Sequence, residues 1–398
     1  MEPTDISATA ACAREIAEEL GVTLPDDAAA YRLIGRFVTP AVSPLRYDCL
    51  YFLVELPPGA EPDPSVSTEL ERGEWMTPAA AALRIRRGEW LAPTPIELTL
   101  AELARGDDER IEERLAEASR IDRAARLWPF CDGIAIAPLA TLTLPPATHT
   151  NAYVFGDREL YVVDPGSHDP GEQEALAREL DARVAAGARV MAVLLTHHHA
   201  DHTSGAPALA AHTGAPIWAH PETARRVPFE VARALEDGEV IDLGARRLRC
   251  VFTPGHAPGH LCYLEEETGW MAAGDMVASV GTILVDPSEG DMRLYLESLA
   301  RMAALEPRVL LPAHGAPIAD PAGKIAEYVR HRLWREERVA AALAERGRAS
   351  AHDLVPLAYA DVAPVLYPIA ERSLMAHLVK LADDGRIRAF GEQWEPVS

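Results

Sequence analysis

At 398 residues the chain is longer than one ordinary domain and fits two or three, each with its own core. A hydrophobic fraction of 48% and a charged fraction of 25% are those of a folded globular protein and exclude a disordered chain. The net charge of -23 tells against a protein that wraps nucleic acid by phosphate neutralisation. No run is apolar enough to span a bilayer, and the first twenty residues carry acids where a secretory signal carries a basic segment. A cytoplasmic protein without a membrane partner is therefore expected. Cys12, Cys49, Cys131, Cys250 and Cys262 are odd in number and never spaced as CxxC, which points to buried thiols rather than disulfides or a cysteine metal site.

Taken in chain order, residues 1–107 hold short apolar runs such as Tyr51-Phe52-Leu53-Val54 between proline-rich turns such as PPGAEPDP (57–64). The charged stretch over 108–127 keeps helical spacing and is expected to be a linker helix. From 128 to 322 strands and helices alternate. YVFGDRELYVVDPG (153–166) reads as two strands around a Gly-Asp turn. EQEALARELDARVAAG (172–187) reads as an amphipathic helix ending in glycine, and ARVMAVLLT (188–196) as a buried strand. Residues 323–398 change texture again. A helix is expected from about Lys324 to Glu345, a shorter one from Ser350, and a third over SLMAHLVKLADDGRI (373–387) with Leu374, Leu378 and Leu381 on one stripe. RIRAFGEQWEPV then reads as a hairpin. Three helices and a hairpin make a winged helix.

The chemistry concentrates in LTHHHADH (195–202). Residues two apart in an extended segment point the same way, so His197 and His199 can converge on one ion, while His198 points away. Asp201 and His202 begin the next helix and can face a second ion. Imidazole and carboxylate are the ligand set of zinc and similar divalent metals. This loop alone holds too few ligands for two ions. TPGHAPGH (253–260), AAGD (272–275) and LPAHG (311–315) offer His256, His260, Asp275 and His314, each in a glycine-bearing turn after an apolar run.

THxHxDH, then GHxxGH, then GD, then PxHG, in that order, resembles the metallo-β-lactamase-fold hydrolases. Each piece is weak alone, but four in order across some 120 residues are strong. The resemblance implies an α/β fold, an αββα sandwich with a dinuclear site at one edge. By position, His197, His199 and His260 would bind the first of two divalent metal ions of zinc type; Asp201, His202 and His314 would bind the second, and Asp275 would bridge them. Ala313 departs from the glycine usual at its position, and no ligand is lost by it. His198 and His256 are assigned to supporting roles, and Asp164 to shaping the site edge by hydrogen bonds. Two ions sharing ligands can hold one water between them as hydroxide, and Asp201 would orient it as the catalytic residue.

The junction at 311–339, running into the winged helix, resembles the β-lactamase-like protein 2 group. Some members of that group act on single-stranded RNA, and relatives act on acyl thioesters. Acids and arginines nearly balance beyond Glu327, with no basic recognition face, so DNA groove reading is not expected. The winged helix is expected to wall the substrate cleft. The acidic balance and the lack of a basic, aromatic track favour a small-molecule ester or thioester over RNA. A single-strand-specific endoribonuclease is the alternative enzyme; a non-catalytic binding module with a vestigial metal site is the alternative of another class. At the start of the chain, Arg14 to Val22 (REIAEELGV) resembles the second half of the Nudix box, and GEWMTPAAAALRIRRGEWLAPTPIELTLAEL (73–103) resembles the tail of such a domain. The opening half of the box would lie before Met1, so this implies a truncated Nudix-like α/β region. A missing strand pair would leave a sheet edge and apolar surface exposed.

Overall fold

The computed structural model describes residues 7–39, 46–70, 73–107, 109–124 and 126–397. It divides into two compact units, residues 1–131 and 132–398.

The first unit opens with α1 (Ala8–Leu20), capped by the Ser7 side chain, which accepts from the Ala10 N–H. Strands β1 (Arg32–Val38) and β2 (Asp48–Leu53) pair antiparallel. Helices α2 (Pro78–Arg86), α3 (Thr94–Leu103) and α4 (Ile111–Ala124) follow, then a short strand β3 (Trp128–Cys131). The stretch expected as a linker is not one. Ile111 and Leu115 of α4, one helical turn apart, are fully buried against Ile34 and Phe37 of β1. The charged residues that suggested a linker form the outer face of a core helix. Leu33, Tyr47 and Leu50 stand exposed around the strand pair.

In the second unit, strands β4 (Ile134–Ala140), β5 (His149–Phe155) and β6 (Glu159–Val163) form an antiparallel meander. Helix α5 (Pro170–Ala185) then crosses over to β7 (Arg189–Leu194), which lies parallel to β6. After α6 (Ala200–Thr203) and α7 (Ala206–Thr213), the sheet continues through β8 (Ile217–Ala219), α8 (Pro221–Ala224) and β9 (Arg233–Ala234), again parallel. A second sheet has the order β10 (Val240–Asp242), β11 (Arg247–Phe252), β12 (Leu261–Glu265), β13 (Trp270–Gly274), β14 (Val309–Pro312). Helix α9 (Met292–Ala304) supplies the crossover that makes β13 and β14 parallel.

Every residue of β12, β13 and β14 is buried, as expected of strands covered on both faces. The two sheets are tied directly: Leu261 N–H donates to the Thr196 carbonyl, and the Tyr263 hydroxyl to the Leu195 carbonyl, each at 2.8 Å. Met292, Tyr295, Leu299 and Met302 of α9 pack onto the outer face of the second sheet. This is the αββα sandwich. Val163 pairs with Leu194, and Gly274 with Pro312, so Asp164 leaves its sheet beside Leu195, and Asp275 leaves the other sheet beside Ala313.

Helix α10 (Pro321–Arg346) belongs to two cores. Ile325 and Tyr328 pack with α9, whereas Val339, Ala342 and Leu343 pack into the C-terminal domain. That domain adds β15 (Ala349–Ser350), α11 (Ala351–Ala358), α12 (Tyr367–Asp383) and the wing β16 (Ile387–Phe390) and β17 (Gln393–Pro396). Leu374, Leu378 and Leu381 form the expected stripe, each with no exposed surface. Burial of this kind stabilises by about 1.5–3 kcal/mol per side chain. Among the described residues no helix is long and apolar enough to cross a membrane.

Candidate metal centre

Four loops leave the sandwich at one edge, and their polar side chains converge. His197, His199, His256 and Asp275 form one group, and Asp201, His202 and His314 a second; within each, one candidate ligand atom per residue lies within 4.8 Å of the others. In the first group His197 Nε2 is 2.8 Å from His199 Nδ1, and His256 Nε2 is 3.3 Å and 3.0 Å from these two atoms. Ligand nitrogens around one tetrahedral zinc stand about 3.3 Å apart, given bonds of about 2.0–2.1 Å. In the second group Asp201 Oδ2 lies 3.8 Å from His202 Nε2 and 3.6 Å from His314 Nε2.

Asp275 faces both groups. Its Oδ2 is 3.4 Å from His256 Nε2, while its Oδ1 is 3.5 Å from His202 Nε2 and 3.3 Å from His314 Nε2. His202 Nε2 and Asp275 Oδ1 are buried without a hydrogen-bond partner. Buried polar atoms are seldom left so in a folded protein, and a shared cation would satisfy both. The residues fit a pair of metal ions.

Each histidine of the two groups has its other ring nitrogen engaged, which fixes its orientation. His197 Nδ1 meets Thr196 Oγ1 at 3.0 Å, and His199 Nε2 meets Glu289 Oε1 at 2.7 Å. His202 Nδ1 meets Asp164 Oδ2 at 2.8 Å. His256 Nδ1 meets the Leu284 carbonyl at 2.8 Å, and His314 Nδ1 meets the His149 carbonyl at 2.9 Å. Asp164, at φ 49, also accepts from the Thr196 N–H and hydroxyl at 2.8 and 2.6 Å. It thus joins the two metal-facing turns without pointing at either group. Gly166 lets these turns approach, since a Cβ there would sit 1.7 Å from the Asp201 carbonyl oxygen.

The site differs from the sequence expectation at one ligand. His260 is absent from both groups, and His256 stands where it was expected. The Thr253 N–H donates to the His260 carbonyl, so His260 continues the β11–β12 ladder instead of hanging in the loop. Its Nε2 accepts from the Asp275 N–H at 3.1 Å, which puts its remaining proton on Nδ1, facing Thr253 Oγ1 at 2.8 Å. Both nitrogens are occupied. Gly274 makes room for this ring, since a Cβ there would be 2.5 Å from His260 Nε2. His256, by contrast, is thrown into the site by Gly255 at φ 130, a position where a Cβ would meet the Tyr295 backbone at 2.2 Å. Sequence reasoning also missed Glu289, which holds both His198 and His199 at 2.7 Å.

The electrostatics divide the site. Burial holds His197 well below the ordinary imidazole range, helped by His202 and His199, and it pushes His256 down to about 4. Burial also opposes charge on His202, but Asp201, Asp275 and Asp164 outweigh it and hold that ring well above its ordinary value. His314 is raised by Asp275 against the same opposition. Asp275 is held low by His314 and His202 despite burial. Burial thus keeps His197 and His256 neutral, whereas the second group is a carboxylate-rich setting that favours positive charge on its imidazoles. Beside them opens a cleft of about 640 Å³ whose far wall is built by α10 and by the winged helix, including Arg332, Tyr359 and Ile369.

Two family models match this chain. The metallo-beta-lactamase superfamily matches residues 145–314, and the beta-lactamase associated winged helix domain matches residues 350–394. Neither reaches the first unit, and the Nudix-like reading of that region gains no support from them. The lactamase-like protein adaB of Aspergillus niger is 38% identical over 205 residues, which are 50% of this chain and 60% of that relative. The chain therefore spans somewhat less than two thirds of adaB. An atrochrysone carboxyl ACP thioesterase of Aspergillus chevalieri is 31% identical over 249 residues, 60% of this chain and 77% of the relative. Among solved structures, a metallo-beta-lactamase family protein from Thermus thermophilus superposes with a TM-score of 0.57 at 25% identity, covering 67% of this chain and 99% of that one. Sandwich, paired ligand groups and relatives agree: the chain belongs to the metallo-beta-lactamase superfamily and carries that superfamily's associated winged helix at its C-terminal end.

Proposed function

We propose that this protein is a metal-dependent hydrolase of acyl thioesters or esters, working with two divalent ions of zinc type. The observation that carries the reading is Asp275, whose two carboxylate oxygens face different ligand groups. His197, His199 and His256 would hold one ion, Asp201, His202 and His314 the other, with Asp275 between them. Bound there, such ions supply Lewis-acid activation of water near neutral pH.

The remaining work falls to the chain's own side chains. Asp201 is part-exposed at the cleft floor, where its carboxylate can accept a proton from an attacking water and orient it. Asp164 and Glu289 keep His202 and His199 turned toward the centre. His260 positions the Asp275 backbone through its Nε2. The exposed Leu142, Leu144 and Val280 line the cleft and offer apolar surface to an acyl chain. The thioesterase name of one relative supports thioester over amide or phosphodiester.

The test is turnover of a panel of acyl thioesters by zinc-loaded protein, beside a labelled single-stranded RNA, with Asp201→Ala as control. Thioester hydrolysis reduced by about 10³-fold or more in the variant is the expected result. RNA cleavage lost in the variant, without thioester turnover, would replace this reading with a ribonuclease.

A further inference from the structure

The cleft wall facing the metal centre carries three arginines, Arg332, Arg335 and Arg372. Two are neutralised in place. Arg335 grips Asp361 through two hydrogen bonds of 2.8 Å each, and Arg372 pairs with Asp286. Arg332 differs from both. It is 2% exposed, and no carboxylate pairs with it among the described residues. Its Nη2 donates to the Ile283 carbonyl, its guanidinium lies 5.3 Å from the centroid of the Tyr295 ring, and its buried Nε has no hydrogen-bond partner.

A guanidinium stays protonated at every physiological pH. Taking one out of water without a counter-charge costs far more than one neutral hydrogen bond and one ring contact return. Cations held across the same cleft would raise the local potential further. Among the described residues no anion of this wall is thus paired with Arg332, and a substrate entering the cleft can bring one.

We propose that Arg332 is the anchor for an oxyanion group carried by the substrate: a carboxylate at the far end of the acyl chain, or a phosphate on the thiol-bearing half. This rests on the acyl-hydrolase reading above. A charge-assisted hydrogen bond in this setting would set orientation as well as affinity, fixing which end of the substrate lies over the metal centre.

Three thioesters of one chain length separate the sources: a neutral acyl N-acetylcysteamine thioester, its counterpart with a terminal carboxylate on the acyl chain, and the neutral acyl group on coenzyme A. Wild-type protein should favour one anion-bearing substrate. Arg332→Met should lower kcat/KM for that substrate by about 10- to 100-fold, mostly through KM, and by a smaller factor for the neutral one. Arg332→Lys should recover part of the loss. Calorimetric titration of glutarate and of inorganic phosphate supplies a readout without turnover, and the Met variant should bind the relevant anion more weakly. Equal losses on all three substrates, or equal anion binding by wild type and the Met variant, would overturn the assignment. If wild-type protein hydrolyses none of the three, the hydrolase reading fails and the calorimetric comparison alone decides the anion site. A Met variant with a depressed melting temperature is replaced by the Lys variant, judged by the same two comparisons.

Discussion

Two stretches of this chain carry motif-like clusters of ionisable side chains, and their fates differ. In α1, Glu15 and Glu18 sit on an exposed helix, and Arg14 pairs with both, at 2.7 and 2.8 Å. In the 195–202 loop, His197 and His202 have no exposed surface, and each is turned by a second residue so that one nitrogen points inward. Spacing alone looked purposeful in both. What separates them is burial with orientation: a group that cannot be satisfied by water or by a neighbouring arginine must be satisfied by something else.

The sharpest way to break that comparison is at the turn where the geometry and the sequence spacing favour different histidines. His256→Ala should lower bound metal and reduce thioester turnover by about 10²–10³-fold, whereas His260→Gln, whose amide oxygen can take the place of Nε2 as acceptor for the Asp275 N–H, should retain its metal. Metal analysis beside steady-state kinetics reads both, and the opposite ranking would restore His260 as the ligand. Asp164→Asn leaves the positive-φ backbone comfortable, because asparagine tolerates that region, but it removes the charge that holds His202. Metal affinity should fall by about 10–100-fold in a competition titration with a chromogenic chelator. Stripping the metal should lower the melting temperature by several degrees, because the buried orphan atoms of His202 and Asp275 then lose their partner. Differential scanning calorimetry before and after dialysis against chelator would show it. Glu289→Gln should weaken metal binding by up to about 10-fold, since a neutral acceptor still orients His199 in part. At the other end of the scale, the double change of Glu15 and Glu18 to alanine should leave metal content and turnover unaltered and shift stability by less than about 1 kcal/mol in urea melts.

Much of the second unit could be read from its residues. The alternation of buried strand and amphipathic helix placed α5 and β7, and Leu374, Leu378 and Leu381 marked the core stripe of α12. Its start was harder. Helix α12 begins at Tyr367 rather than Ser373, because Pro368 reads as a breaker yet is tolerated in a first turn. The charge pattern over 108–127 hid Ile111 and Leu115, two inward residues enough to make α4 part of a core. His256 and His260 share one glycine-rich turn, and which of them enters the site depends on where the β11–β12 ladder resumes, a register that composition does not encode. Glu289 reaches His199 from 90 positions away, on a loop with no periodicity of its own. Arg332 looked like one charge among many on a long helix until the fold buried it.

The most direct test of the two-ion centre is the metal stoichiometry of purified full-length protein, by plasma mass spectrometry, for wild type and Asp275→Ala. A bridging Asp275 predicts about two ions per wild-type chain and about one or fewer in the variant. A wild-type chain that loads a single ion at saturation, or a variant that keeps both, would contradict the paired centre.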